Sequence, residues 1–184
     1  MLKLNQSIYK ILIALLILFI LTVYQVADCS NITENSNNLI PIQKQSQTFW
    51  EKVWGKKSDN KLYFAMFTIH LNPPSFKNDN WNQQLVGIQY DGYLASTLIN
   101  SFYNRTYMIG FSRTIYEKKY TNWKIDLGYD PGLVYGYKHG QAPFASLTPI
   151  IPVIIPFLSI TYKKKFGAEL NFVPDPAFSF FLRF

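Results

Sequence analysis

Between Asn122 and Asp130 the chain alternates without a break. Trp123, Ile125, Leu127 and Tyr129 fall on one side, and Asn122, Lys124, Asp126, Gly128 and Asp130 on the other. Successive side chains of a β-strand point to opposite faces, so a period of two with every charge on one row describes a strand with one apolar and one wet surface. Which surface faces inward follows from composition. Apolar residues make up 48% of the chain and charged residues only 16%, against roughly a quarter charged in an ordinary soluble domain. One domain has too little core for that much apolar surface. The charged row is therefore expected to line a wet interior, and the apolar row to face lipid.

The same period recurs along the chain. Tyr63, Ala65, Phe67, Ile69 and Leu71 are expected on one face of a first strand, opposite Phe64, Met66, Thr68 and His70. Val86, Ile88 and Tyr90 alternate with Leu85, Gly87 and Gln89, and Asp91-Gly92 follows as a hairpin turn. Ser101 closes the next strand, and Tyr107, Ile109 and Phe111 oppose an inward row of Thr106, Met108, Gly110 and Ser112. Strands over Phe157–Tyr162, Gly167–Val173 and Ala177–Phe184 complete a set of eight. The fold class is all-β: an eight-stranded antiparallel transmembrane β-barrel over residues 62–184. The closing strand places Phe178, Phe180, Leu182 and Phe184 at alternate positions, the terminal signal that barrel assembly machinery reads. A soluble lipocalin-like barrel shares the alternation without a reason for that ending.

The first residues run from Met1-Leu2-Lys3 through Lys10 into an apolar stretch, Ile11 to Val23, then small and polar residues. This is the form of a secretory signal peptide, expected over residues 1–29 with cleavage between Ala27 and Ser30. The stretch is short for a membrane anchor. Cys29 is the one cysteine, and Asp28 before it does not suit a lipobox, so neither a disulfide framework nor lipidation is expected. Residues 30–61 form a polar segment in which Thr48-Phe49-Trp50-Glu51-Lys52-Val53-Trp54 sets aromatics at helical spacing, as in a short amphipathic helix on the periplasmic side, with an ordinary packing helix or a disordered linker as the alternative. The net charge of +7 lies partly in the leader and partly in Lys163-Lys164-Lys165. That distribution suits anionic lipid headgroups, and no nucleic-acid partner is expected.

Alternating strand direction fixes which loops share a rim. The turns at Asp91-Gly92, Glu117–Thr121 and Lys163–Phe166 fall at one end, and the loops at Asn72–Asn80, Phe102–Asn104, Lys138–Thr148 and Pro174–Pro176 at the other. His70, Asn100 and Ser101 lie at strand ends that meet the second rim. A histidine beside a serine can serve acyl transfer, the imidazole taking a hydroxyl proton while donors hold the oxyanion. Surface polarity is the plainer explanation of such a pair. Neither His70 nor His139 has metal-ligand spacing, and no G-x-S-x-G elbow or phosphate loop occurs, so no metal or cofactor is expected. Pro149, Pro152 and Pro156 interrupt an apolar stretch, and Pro174 and Pro176 lie at the facing end of the next strand. Proline cannot donate to the ladder, so hydrogen bonding should lapse there and leave an apolar gap for sideways lipid access, unless the stretch is a surface loop.

On these residues the chain, from about Phe49 to Phe184, resembles the PagP-type lipid A palmitoyltransferases. The resemblance is strongest over Ile150-Ile151-Pro152-Val153-Ile154-Ile155-Pro156-Phe157-Leu158-Ser159, and His70 and Asn100-Ser101 match in order and spacing. It implies a monomeric enzyme of the Gram-negative outer membrane. Such an enzyme moves an acyl chain from the sn-1 position of a glycerophospholipid donor to a lipid A acceptor, without cofactor. It implies catalytic roles for His70 and Ser101, with Asn100 where the family carries aspartate. It further implies an acyl well lined by Met108 and Gly110 and floored by Ser112, where the family has glycine. A bulkier, polar floor leads us to expect a donor chain shorter than palmitate. The resemblance also implies lateral lipid access at Pro152, Pro156 and Pro174. A second gap is less expected, because Asn80 and Ala65 stand where prolines would be. The competing expectation is a non-catalytic small barrel with a structural or adhesive role; a porin is excluded because eight strands enclose no aqueous channel.

Overall fold

The computed structural model describes residues 49–70, 79–142 and 145–184. The leader with Cys29, most of the polar segment, Leu71 and most of the expected Asn72–Asn80 loop lie outside the described residues. The chain divides into two compact units, residues 1–52 and 53–184. A six-residue helix, α1 (Phe49–Trp54), spans that division. It is about a turn and a half long, and the amphipathic surface helix expected there remains an expectation. No helix among the described residues is long and apolar enough to cross a membrane.

Among the described residues ten strands follow: β1 (Lys56–Lys57), β2 (Lys61–Thr68), β3 (Val86–Tyr90), β4 (Tyr93–Ile99), β5 (Arg105–Phe111), β6 (Arg113–Lys119), β7 (Trp123–Tyr135), β8 (Ile150–Tyr162), β9 (Phe166–Asn171) and β10 (Ala177–Arg183). Two of these add no stave. β1 is a two-residue piece on the free side of β6, and β5 and β6 are one strand interrupted at Ser112, both pairing with β7. Eight staves therefore form a closed antiparallel barrel in which β7 pairs β8 and β10 returns to β2.

The wall has the polarity that the alternation requires. Val86, Ile88, Tyr107, Ile109, Phe111, Trp123, Leu133, Ile154, Phe178, Phe180 and Leu182 are exposed on the outside. Lys61, Gln89, Lys124, Asp126, Asp130, Glu169 and Ser179 are buried inside. Far more apolar surface is exposed than a monomeric soluble protein tolerates as a continuous patch.

The interior is divided along its axis. At the turn end, Lys61 Nζ binds Glu169 Oε2 at 2.6 Å, both side chains only 2% exposed. Tyr63 donates to this glutamate or to Gln89, each at 3.2 Å. Lys124 binds Asp59, Glu117 and Asp126, and Arg183 joins Asp59 at 3.0 Å. Toward the loop end the lining becomes apolar: Leu85, Leu94, Met108 and Val134 pack with Met66, Leu98, Val153 and Ile155.

Strict alternation does not survive everywhere. The register between β10 and β2 slips where Phe180 faces Ala65 and Phe181 faces Tyr63, so Phe64 is an extra residue on β2. This bulge reverses the faces beyond it. Tyr63 is consequently buried with Thr68 and His70, not set against them, and Phe67 and Ile69 point outward. A second slip at Ile115 bends β6. Glu117, expected in a turn, lies within β6, and β8 begins at Ile150 and pairs with β7 along its whole length, which retires the surface-loop alternative.

Removing Lys61 leaves Glu169 charged and dry. Lys61→Met should cost about 3–5 kcal/mol, and the pair Lys61→Met with Glu169→Leu should recover most of it. Urea unfolding of the refolded barrel in detergent checks both; an unchanged midpoint in the single variant would show the pair to be dispensable.

Candidate functional site

His70 lies two residues past β2 at the loop rim, and the Phe64 bulge turns its ring inward, where it is fully buried. Its Nδ1 lies 3.0 Å from Asp175 Oδ2 and 3.9 Å from Asp79 Oδ2, and its Nε2 lies 3.3 Å from the Asn80 carbonyl. The Trp81 ring meets it edge-on at 5.7 Å. Asp175 and the Asn80 carbonyl are both acceptors, and a neutral imidazole has one N–H, so it serves one of them at a time. When Nδ1–H donates to Asp175, the Nε2 lone pair is left to accept a proton. That is the orientation a general base needs.

Asp175 was not among the residues singled out from sequence. The only signal was an aspartate between two prolines, Pro174 and Pro176, in the short connection from β9 to β10. Among the described residues its carboxylate is the nearest to the His70 ring.

Asn100 has other work. It is fully buried just past β4, and its Oδ1 accepts from the backbone N–H of Phe102 and of Asn104, each at 3.0 Å, while Nδ2 donates to Thr106 Oγ1 at 3.1 Å. It therefore caps the β4–β5 turn. Ser101 is half-buried. Its hydroxyl accepts from Gln83 Nε2 at 3.3 Å, which leaves its own proton free to point elsewhere. His70 and Ser101 make no direct hydrogen bond; the backbone of Asn80 stands between them, its N–H donating to the Ser101 carbonyl at 2.9 Å and its carbonyl facing His70.

Met108 and Ser112 are buried on the inward row of β5 and just beyond it, with Gly110 half-buried between them. Gly110 faces Gly132, and a Cβ on Gly110 would sit 2.7 Å from the Gly132 Cα, so the strands approach closely only because both are glycine. Ser112 lies opposite Asp130 in the register shared by the Gly110–Gly132 and Arg113–Tyr129 pairs. From Thr106 to Ser112 the strand descends roughly 15 Å along the axis. The apolar part of the inward row thus ends on a buried hydroxyl and a carboxyl. Tyr137, packed against the apolar cluster just past β7, has its phenol pushed above the ordinary range by burial.

Strand pairing lapses in one place near the rim. β8 pairs with β9 only from Phe157 downward; above that, Phe172 N–H to the Pro156 carbonyl at 2.8 Å is the last rung before Pro152 and Pro174. Across β2, β3 and β4 the rim is stitched instead. Thr68 N–H reaches Trp81, Gln83 N–H reaches Met66, and Ile99 N–H reaches Gln83. Asn80 adds the bond to Ser101 that a proline could not make. A further lapse, unforeseen from sequence, lies between β5 and β7, where pairing stops at Gly110–Gly132 and resumes at Arg113–Tyr129 around Pro131. An apolar depression of about 440 Å³ lies there, lined by Ile109, Phe111, Pro131 and Leu133 among others.

Among the described residues no group of three or more metal-binding side chains converges.

Asn100→Ala leaves the Phe102 and Asn104 backbone N–H groups without their acceptor and should cost about 1–3 kcal/mol. Amide exchange at Phe102 and Asn104 should quicken in that variant, while Asn100→Asp keeps both protected. Unchanged exchange in Asn100→Ala would remove the capping role.

Compared with known proteins, the sequence matches no family model and no curated protein.

Proposed function

We propose that the protein is an outer-membrane acyltransferase that moves a fatty acyl chain from the sn-1 ester of a glycerophospholipid to a hydroxyl of lipid A. The observation that carries this reading is the placement of His70. A buried imidazole held by Asp175 lies at the loop rim of a barrel whose interior carries an apolar cluster and whose β8 and β9 stop pairing above Phe157. The exposed apolar wall and the wet, charged interior are what a barrel in a bilayer requires. On this reading the rim that carries His70 faces outward, toward lipid A, and the turn end faces the periplasm.

In the reaction, a donor lipid enters through the gap beside Pro152, Pro156 and Pro174, and its sn-1 chain lies against Leu85, Leu94 and Met108. His70 Nε2 takes the proton of the attacking hydroxyl, whose oxygen forms the new bond to the ester carbonyl carbon. The carbonyl oxygen takes the developing charge and accepts a hydrogen bond from the Ser101 hydroxyl, whose proton Gln83 leaves free. The bond to the glycerol oxygen then breaks, and His70 returns the proton to that oxygen, releasing a lysophospholipid. Asp175 touches neither substrate; it positions the ring and stabilises its charged form.

The alternative is a non-catalytic small barrel, structural or adhesive. It draws on Asn100, whose polar atoms are all spent on the turn, and on the lack of a direct His70–Ser101 bond.

Acyl transfer from defined phosphatidylcholines to lipid A by the refolded barrel in detergent tests the two. Transfer should fall to background in His70→Ala and Ser101→Ala with circular dichroism unchanged. Asp175→Asn should lose tenfold or more in kcat with little change in KM. No transfer by the parent from any chain length would favour the alternative. The parent should prefer a chain shorter than palmitate, and Ser112→Gly should move the optimum to a longer one; transfer of palmitate alone by the parent would refute Ser112 as the floor.

A further inference from the structure

Lys163, Lys164 and Lys165 connect β8 to β9; the first two hold positive φ, 48° and 58°, at the centre of a turn closed by the Lys165 N–H to the Tyr162 carbonyl at 3.0 Å. That is the backbone of a type I′ hairpin turn, for which Asn-Gly or Asp-Gly is the natural choice because side chains with a Cβ resist this region. The β3–β4 hairpin follows the rule with Asp91-Gly92. Two lysines in the same geometry, with a third at Lys165, are a costly way to make a turn and put three exposed lysines in succession on it.

The neighbouring turn is fastened to this one. Lys163 N–H donates to the Asn122 carbonyl at 2.7 Å, and Arg183 N–H to the Lys165 carbonyl at 2.6 Å, so the β6–β7 and β8–β9 turns form one platform. Between them lies a cleft of about 190 Å³, lined by Lys119, Asn122, Trp123, Lys124, Lys164 and Arg183 among others. Its charges are unevenly matched. Lys119 pairs with Glu117, Lys124 with Asp59, Glu117 and Asp126, and Arg183 with Asp59. Among the described residues, Lys163, Lys164 and Lys165 have no carboxylate partner, and Lys163 instead lies over the Tyr162 ring at 5.3 Å. Beside the cleft, Trp123 and Tyr162 form an outward-facing cross-strand pair with ring centroids 4.5 Å apart. Aromatic pairs of this kind sit at the level of lipid headgroups.

We propose that this platform is a binding site for the phosphate of an anionic glycerophospholipid in the leaflet at the turn end of the barrel. The three turn lysines hold the phosphodiester, the cleft receives the headgroup, and the Trp123–Tyr162 pair lies along the upper acyl chains. The site is separate from His70, at the opposite end of the barrel. It rests on the reading that the barrel spans a bilayer.

The test places the protein in phosphatidylcholine vesicles containing a fraction of either phosphatidylglycerol or phosphatidylcholine with brominated acyl chains. The tryptophan fluorescence that disappears in Trp123→Phe reports quenching at position 123. Brominated phosphatidylglycerol should reach half-quenching at about a tenfold lower mole fraction than brominated phosphatidylcholine. The preference should vanish when Lys163, Lys164 and Lys165 are all changed to Gln. It should persist in Lys56→Gln with Lys57→Gln, which removes charge from residues already paired with Glu117 and Asp91. Should the triple variant fail to fold, the parent at 0.5 M salt substitutes for it, since screening should abolish the preference. Equal quenching by the two lipids, or a preference that survives both the triple change and salt, overturns the headgroup site and leaves the membrane reading standing. Absence of quenching by either lipid overturns both.

Discussion

Closure of the sheet is the constraint on which the rest depends. A strand at a sheet edge presents unpaired N–H and C=O groups, and in an apolar surrounding those groups are too expensive to leave open. Here β10 returns to β2 through seven register pairs, from Ala177–Thr68 to Arg183–Lys61, so no stave is left as an edge. Once every stave has two partners, any missing rung becomes conspicuous. The lapses fall at prolines: above Phe157 between β8 and β9, and around Pro131 between β5 and β7. A closed wall with few defined breaches can admit something sideways without losing its shape.

The inside of the barrel meets two incompatible demands by separating them along the axis. At the turn end, Lys61 with Glu169 and Lys124 with Asp59, Glu117 and Asp126 fill the bore with paired charge. A buried charge that loses its partner is strongly destabilising, so this half resists rearrangement. The loop end is lined by Leu85, Leu94, Leu98, Val134, Val153 and Ile155 together with Met66 and Met108, whose unbranched side chains can change rotamer at modest cost. The boundary between the two is Ser112, which lies opposite Asp130 in the β5–β7 register.

The strands and their faces were largely legible, because a period of two with charges confined to one row leaves a single arrangement for Trp123–Asp130 and for Thr106–Ser112. The first strand was misread beyond Phe64. A bulge inserts one residue without any mark in the alternation, and Tyr63 then shares the interior with His70 instead of opposing it. His70, Asn100 and Ser101 were legible as residues of one rim from the order of strands alone. How they connect was not: the bond from Asn80 to Ser101 and the capping by Asn100 depend on loop paths that local sequence does not encode.

The sequence by itself therefore determined the barrel, its polarity and the rim on which polar groups gather, since each follows from strand period and strand count. Only the tertiary structure decided which carboxylate stands against His70. Asp175 lies 105 positions away in sequence and reaches the imidazole because β10 closes on β2, and the ring faces it because one bulge turns β2 over. Both are properties of register between distant strands, which is set when the sheet closes and not before.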